Sequence, residues 1–132
     1  MFGEKLLVGQ SNHNIDNKNR LFLPAGTGRE KSDIVYLCYD KEIDTYTIYP
    51  EKIIQEKFVK LQKMVDEAKS VEELKQYKLM LLEFSLSIMR AAEVDAGGRI
   101  TVGNEFSQFE SVNIIGGGDH LMLKPIVKNK KK

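Results

Sequence analysis

Two arginines in this chain each stand four residues after an aspartate and open an alternating apolar segment. Asp16-Asn17-Lys18-Asn19-Arg20 leads into Leu21-Phe22-Leu23-Pro24, and Asp95-Ala96-Gly97-Gly98-Arg99 leads into Ile100-Thr101-Val102-Gly103. An aspartate in a tight turn accepts backbone N–H bonds from the residues that follow it. Gly97 and Gly98 permit the positive φ such a turn needs, and Asn17 and Asn19 are the next best residues for it. An arginine leaving the turn on the first residue of a strand has two uses. It can pair locally with its aspartate, or it can face solvent and bind phosphate or guanine O6 and N7 through two hydrogen bonds. A single Asp-x-x-x-Arg favours the local pair. Two copies in matching contexts make that ordinary explanation less attractive.

The elements that hold these turns repeat as well. Each turn is followed by a second alternating run ending in proline: Asp44-Thr45-Tyr46-Thr47-Ile48-Tyr49-Pro50 and Asp119-His120-Leu121-Met122-Leu123-Lys124-Pro125. An internal repeat of this kind predicts two similar half-units packed about a pseudo-two-fold axis. In the first half, residues 10–15 read as a weak strand, Leu21 and Leu23 share one strand face, and residues 24–28 form a loop or very short helix. Residues 34–39 and 46–49 read as a hairpin turning near Asp44. In the second half, residues 91–94 lead as a strand into the turn, and Ile100 and Val102 alternate as Leu21 and Leu23 do. Val112, Ile114 and Ile115 form a strand that Gly116-Gly117-Gly118-Asp119 turns back through Leu121 and Leu123.

Between the halves the period changes. Pro50 stops a strand and Glu51 opens a helix whose stripe is Ile54, Phe58, Leu61, Val65 and Ala68. Ser70-Val71-Glu72-Glu73 is a capping box starting a second helix that should run to about Met89, with Leu74, Tyr77, Leu81, Phe84 and Ile88 as its main stripe. Over residues 79–89 the apolar side chains go nearly all the way round, which means burial on several sides or a contact between subunits. The short turn between the helices favours an antiparallel pair. The organisation expected is α+β in one compact domain: residues 1–50 a first β repeat, 51–90 a helical hairpin, 91–125 a second β repeat, and 126–132 a basic tail.

The bulk composition narrows the function. The chain has 132 residues, 42% hydrophobic and 30% charged, with formal net charge +1. That fits one soluble globular domain and argues against a broad basic surface, though local clustering still allows a nucleic-acid site. No apolar run is long enough to span a bilayer, and no signal-peptide core is present. The single cysteine, Cys38, sits in an alternating apolar run and reads as a buried side chain in a reducing cytoplasm. His13 and His120 have no metal-ligand spacing, so no metal is expected. Gly116-Gly117-Gly118 lacks the lysine and helix of a phosphate loop and reads as a hairpin turn. No nucleophile–base pair or two-carboxylate arrangement stands out, and neither an enzyme nor a cofactor is expected. Lys128, Lys130, Lys131 and Lys132 read as a solvated tail.

The motifs in order resemble those of the MraZ transcriptional regulators. The first repeat of that family reads Tyr/His-x-ϕ-D-x-K-G-R-ϕ-x-ϕ-P-A, where ϕ is apolar. The chain has His13-Asn14-Ile15-Asp16-Asn17-Lys18-Asn19-Arg20-Leu21-Phe22-Leu23-Pro24-Ala25. The second repeat matches Ala91-Ala92-Glu93-Val94-Asp95-Ala96-Gly97-Gly98-Arg99-Ile100-Thr101-Val102, although the chain is two residues shorter before the aspartate. Gly116-Gly117-Gly118-Asp119 looks like the closing hairpin, and Met1-Phe2-Gly3-Glu4 and the helix pair also match. Asn19 stands where the family usually has glycine, and Gly97 stands where the first turn has Lys18. Gly26-Thr27-Gly28 and Gly103-Asn104 also depart from the pattern.

The resemblance implies two AbrB-like swapped-hairpin β units and a homo-oligomer, a ring in the family. It implies double-stranded DNA as partner, in repeated promoter boxes upstream of cell-division and wall-synthesis genes, in the cytoplasm and nucleoid. Carried over, Arg20 and Arg99 would be the DNA-facing arginines and Lys18 a phosphate contact, with Asp16, Asn19, Asp95, Gly97 and Gly98 shaping the turns. Three cations per chain bind duplex weakly, at a salt slope of about −0.9 each. An oligomer multiplies them through effective concentration. The alternative is an oligomeric scaffold or regulator of protein partners that uses the apolar helix 79–89 and does not bind DNA.

Overall fold

A computed structural model describes residues 1–128. Its elements are β1 (Gln10–Asn14), β2 (Arg20–Phe22), β3 (Ile34–Asp40), β4 (Thr45–Pro50), α1 (Glu51–Asp66), α2 (Val71–Ser87), β5 (Ile88–Glu93), β6 (Arg99–Thr101), β7 (Phe109–Gly116) and β8 (Leu121–Val127). The fold is α+β. Six strands make one antiparallel sheet in the order β1-β7-β8-β4-β3-β5, and β2 pairs with β6 in a separate two-stranded ribbon. The expected hairpins β3–β4 and β7–β8 both form.

The sheet order is palindromic with respect to the two halves of the chain. β8 and β4 meet at the centre, β7 and β3 flank them, and β1 and β5 lie outermost. β1 of the first half is paired with β7 of the second, and β5 of the second half with β3 of the first. Each hairpin therefore takes its outer strand from the other half, and the ribbon takes one strand from each. The alternation read at Leu21, Leu23, Ile100 and Val102 points all four into one core, where each is at most 1% exposed. They pack with Val35, Leu37, Ile48, Val94, Phe106, Val112, Ile114, Leu121 and Leu123.

Pro50 ends β4 and caps α1, where its missing N–H goes unneeded. The start of α2 is also as read: Ser70 Oγ accepts from the Glu73 amide at 3.0 Å. The Glu73 carboxylate accepts from the amide of Lys69, one residue before the cap, at 2.9 Å. The helices brace each other through Phe58 and Phe84, whose rings meet edge to face at 4.9 Å. They lie only lightly on the sheet. Ile54 is the one buried residue of α1, and α2 has none. Leu79, Leu82 and Leu86 are all more than half exposed and so are not core within one chain, whereas Met89 at the end of the stretch packs against the core.

Several boundaries differ from the sequence reading. α2 ends at Ser87 and not near Met89, because Ile88 is extended (φ −80°, ψ 115°) and pairs with Cys38 of β3. The β-branched Ile88 gains a sheet partner there that a further helical turn would not supply. β5 accordingly starts at Ile88 rather than 91. Val94 leaves the sheet and exchanges backbone bonds with Asp33 and Ser32 at 2.8 Å each. β8 runs through Pro125 to Val127, so the tail placed at 126–132 starts at Lys128. The rest of it, with Lys130, Lys131 and Lys132, lies outside the described residues. Pro125 is tolerated because pairing with β4 stops at Leu123, leaving no demand for an N–H on that side. Among the described residues no helix is long and apolar enough to cross a membrane.

Candidate nucleic-acid interface

The two Asp-to-Arg turns are built alike, bond for bond. Asp16 Oδ1 accepts from the amides of Lys18 and Arg20, both at 2.9 Å, and its Oδ2 from Arg20 Nε at 2.8 Å. Asp95 Oδ1 accepts from the amides of Gly97 and Arg99, both at 2.9 Å, and its Oδ2 from Arg99 Nε at 3.1 Å. The turns close through Asn19 N–H to Asp16 O and Gly98 N–H to Asp95 O, both 3.0 Å. Of the four residues expected to relieve the turns, only Asn19 (φ 56°) and Gly98 (φ 79°) take positive φ. Asn17 and Gly97 do not, so one left-handed residue per turn is enough.

The turns also bind each other. Leu23 N–H donates to Gly98 O at 3.0 Å and Val102 N–H to Asn19 O at 2.8 Å, which extends the ribbon at both ends. Within it Arg20 faces Thr101, Leu21 faces Ile100, and Phe22 faces Arg99. Leu21 and Ile100 point inward. The outer face carries Arg20, Phe22, Arg99 and Thr101, with Phe22 47% exposed. Arg20 and Arg99 are thus diagonal neighbours on one face, about 7–8 Å apart along the ribbon. The Arg99 guanidinium lies 5.9 Å over the Phe22 ring.

Of the two uses foreseen for the arginines, the structure shows the local pair, and it forms in both turns. Nε makes the local ion pair, and the side chains are 27% and 30% exposed rather than fully outward. Among the described residues the terminal nitrogens have no partner in the protein, and neither is buried. The ion pair therefore fixes the guanidinium while leaving its outer edge available. Shielding from water pushes the Asp16 carboxyl up. The Arg20 amide and side chain, the Lys18 amide and the Arg20 charge outweigh it and hold the carboxyl below the usual range. For Asp95 the Arg99 amide is the main cause, helped by the Arg99 charge and the Gly97 amide and opposed by desolvation, and the net shift is again downward. Lys18 is exposed beside the first turn.

One further cation reaches this region from a place the sequence did not mark. Arg29 Nε donates to Leu23 O at 2.5 Å, and its guanidinium lies against Gly98 of the second turn. Nothing in the local pattern around Arg29 signals this. Asn19 and Gly98 occupy equivalent places, and the glycine at the second was the only trace of a close neighbour. Arg90, by contrast, is committed to Glu105, with both carboxylate oxygens at 2.8 Å.

The remaining candidates have local roles. His13 Nε2 is hydrogen-bonded to Ser11 Oγ at 2.8 Å. His120 Nδ1 lies 2.7 Å from Asp119 Oδ1, and its ring stacks on Tyr49 at 5.1 Å. Cys38 is buried in β3, and burial pushes its thiol up to about 11. The turn at Gly116-Gly117-Gly118 is filled by the N-terminal segment. Leu7 and Gly118 exchange backbone bonds at 2.7 and 2.8 Å, and Gly116 N–H donates to Gly9 O. A groove of about 580 Å³ lies between the β3–β4 hairpin and the end of α2, lined by Tyr39, Tyr46, Tyr49, Phe84, Leu86 and Met89 among others. The chain matches none of the protein-family models and none of the curated proteins with which it was compared.

Proposed function

We propose that this chain is a sequence-specific DNA-binding transcriptional regulator of the MraZ type. Its architecture is read as two AbrB-like swapped-hairpin units about a pseudo-two-fold, a reading supported by the palindromic sheet order and by outer strands taken from opposite halves. The observation that carries the function is the bond-for-bond likeness of the two turns on one ribbon, each delivering an arginine with a free outer edge. A two-stranded ribbon fits the major groove, where arginine reads guanine and an apolar side chain such as Phe22 contacts the thymine methyl. Lys18 supplies a phosphate contact. The resemblance points to repeated boxes upstream of cell-division and cell-wall genes as the target.

Few cations per chain give a shallow salt slope and weak affinity for a lone subunit, so the binding species is a homo-oligomer. A head-to-tail contact that closes on itself makes a ring. The exposed leucines of α2 supply an apolar face for it.

The test is fluorescence anisotropy with a duplex carrying the chain's own upstream region, against a scrambled duplex, over a range of salt. Arg20→Ala and Arg99→Ala should each weaken binding to the repeated boxes by about 1–3 kcal/mol if they read bases, and the double variant should lose preference for the boxes. Full, box-specific binding by the double variant would overturn the assignment. The same exposed leucines favour a second reading, a scaffold for a protein partner. A stoichiometric partner together with no duplex binding at low salt would select it.

A further inference from the structure

The two turns differ by one charge. The first holds Asp16, Lys18 and Arg20; the second holds Asp95 and Arg99, with Gly97 in the place of the lysine. Formally the first is positive and the second neutral. Arg29, in the loop after the 3-10 turn Ala25–Thr27, crosses to the second turn and lies over it. A Cβ on Gly98 would sit 2.4 Å from Arg29 Cζ, 2.6 Å from Nε and 2.7 Å from Nη1. The guanidinium therefore fills the space that a side chain at 98 would take.

Its position is fixed from the other side too. Leu23 accepts from Arg29 Nε through its carbonyl and donates its amide to Gly98 O, at 2.5 and 3.0 Å. One residue thus ties the arginine and the turn together. Among the described residues the two terminal nitrogens of Arg29 have no protein partner, and neither is a buried atom. They are donors held beside the second turn.

We propose that Arg29 is a phosphate-binding residue that gives the second turn the positive charge Lys18 gives the first, so that one chain offers duplex DNA two turns of equal charge. This rests on the DNA-binding reading above. The compensation comes from the opposite half of the chain, and it requires glycine at 98 for space, since Asn19 meets the same positive φ in the first turn without being glycine.

The test uses the full chain and a duplex carrying its upstream region, with affinity measured across a potassium chloride series. Removing one phosphate contact should reduce the salt slope by about 0.9 and weaken box and scrambled duplex alike by about eightfold at 0.1 M salt, each per engaged chain. Arg29→Ala should do this, and Arg29→Lys should keep most of the slope. Gly97 is outside the left-handed region, and a Cβ there meets Arg99 Nε at 3.2 Å and Asp95 Oδ1 at 3.4 Å, so a lysine fits with small shifts. Gly97→Lys added to Arg29→Ala should restore the slope, which a purely structural role for Arg29 would not allow. If the native chain binds and Arg29→Ala matches it, the Arg29 assignment alone falls. A binding loss that follows a lowered melting temperature and is not restored by Gly97→Lys makes Arg29 a brace and also overturns it. If the native chain binds no duplex at all, the DNA reading falls and takes this assignment with it.

Discussion

Leu21 of β2 lies directly opposite Ile100 of β6, and the two side chains are 0% and 1% exposed. This pair is the middle rung of the ribbon that presents Arg20 and Arg99 on its other face. The same apolar contact therefore anchors the ribbon to the core and sets the spacing of the arginines. Ile100→Ala should cost about 2–5 kcal/mol, as deletions from a close-packed core do. Urea unfolding should show this as a lower midpoint at unchanged slope. Leu21→Ala should behave alike, and the double variant should lose less than the sum because the two residues share a contact. A midpoint shift worth under about 0.5 kcal/mol for either single variant, the range of an ordinary surface substitution, would mean the ribbon is not part of the core.

Gly98 and Asn19 hold equivalent places, yet they should not tolerate alanine equally. Both have positive φ, where alanine is strained by roughly 1–3 kcal/mol. Asn19→Ala adds the loss of one exposed hydrogen bond, to Asn104 Oδ1 at 3.0 Å. Gly98→Ala must also push aside the Arg29 guanidinium and so disturb the Leu23 carbonyl that holds it. Thermal unfolding should therefore rank Gly98→Ala as the more damaging change. The opposite ranking would mean Arg29 yields without cost.

The two turns were legible in the sequence because their chemistry is local: an aspartate, a left-handed residue and an arginine within five positions. The burial of Leu21, Leu23, Ile100 and Val102 was legible because alternation assigns a face. Alternation does not name a partner, however. That β1 pairs with β7, and β5 with β3, depends on contacts between halves that no short pattern encodes. The end of α2 was misread for a related reason. Ile88 continues the helical stripe, but its pairing with Cys38 draws it into the sheet. Arg29 was missed because its neighbour Gly98 is far away in sequence, and a lone arginine in a polar loop has no periodicity to betray it.

Acid should loosen both turns together. The Asp16 and Asp95 carboxyls are held below their ordinary value in the folded chain, by amide and guanidinium bonds that need the ionised form. A group of this kind adds stability above its unfolded pKa, about 3.9, and loses it as pH falls through the lower folded pKa. Urea midpoints measured from pH 6 to 3 should fall progressively below about pH 5. The Asp16→Asn, Asp95→Asn double variant should start less stable at pH 6 and fall less steeply over that window. Parallel curves for the two proteins would show that other carboxylates cause the acid loss.

Leu79, Leu82 and Leu86 follow the helical spacing of 3 and 4, on the side away from Phe84 and the α1 contact. They are 54%, 53% and 74% exposed, an apolar stripe that one chain leaves uncovered. If it is a subunit interface, replacing all three by glutamine should reduce the native mass towards that of one chain. Glutamine is a good helix former and these side chains touch little within the chain, so the melting temperature at low concentration should hardly move. Binding to a duplex with several boxes should then weaken more than binding to a single box, because the lost linkage acts only where several turns engage at once. An unchanged native mass in the triple variant would remove this face of α2 from the assembly and leave its leucines to a partner of another kind.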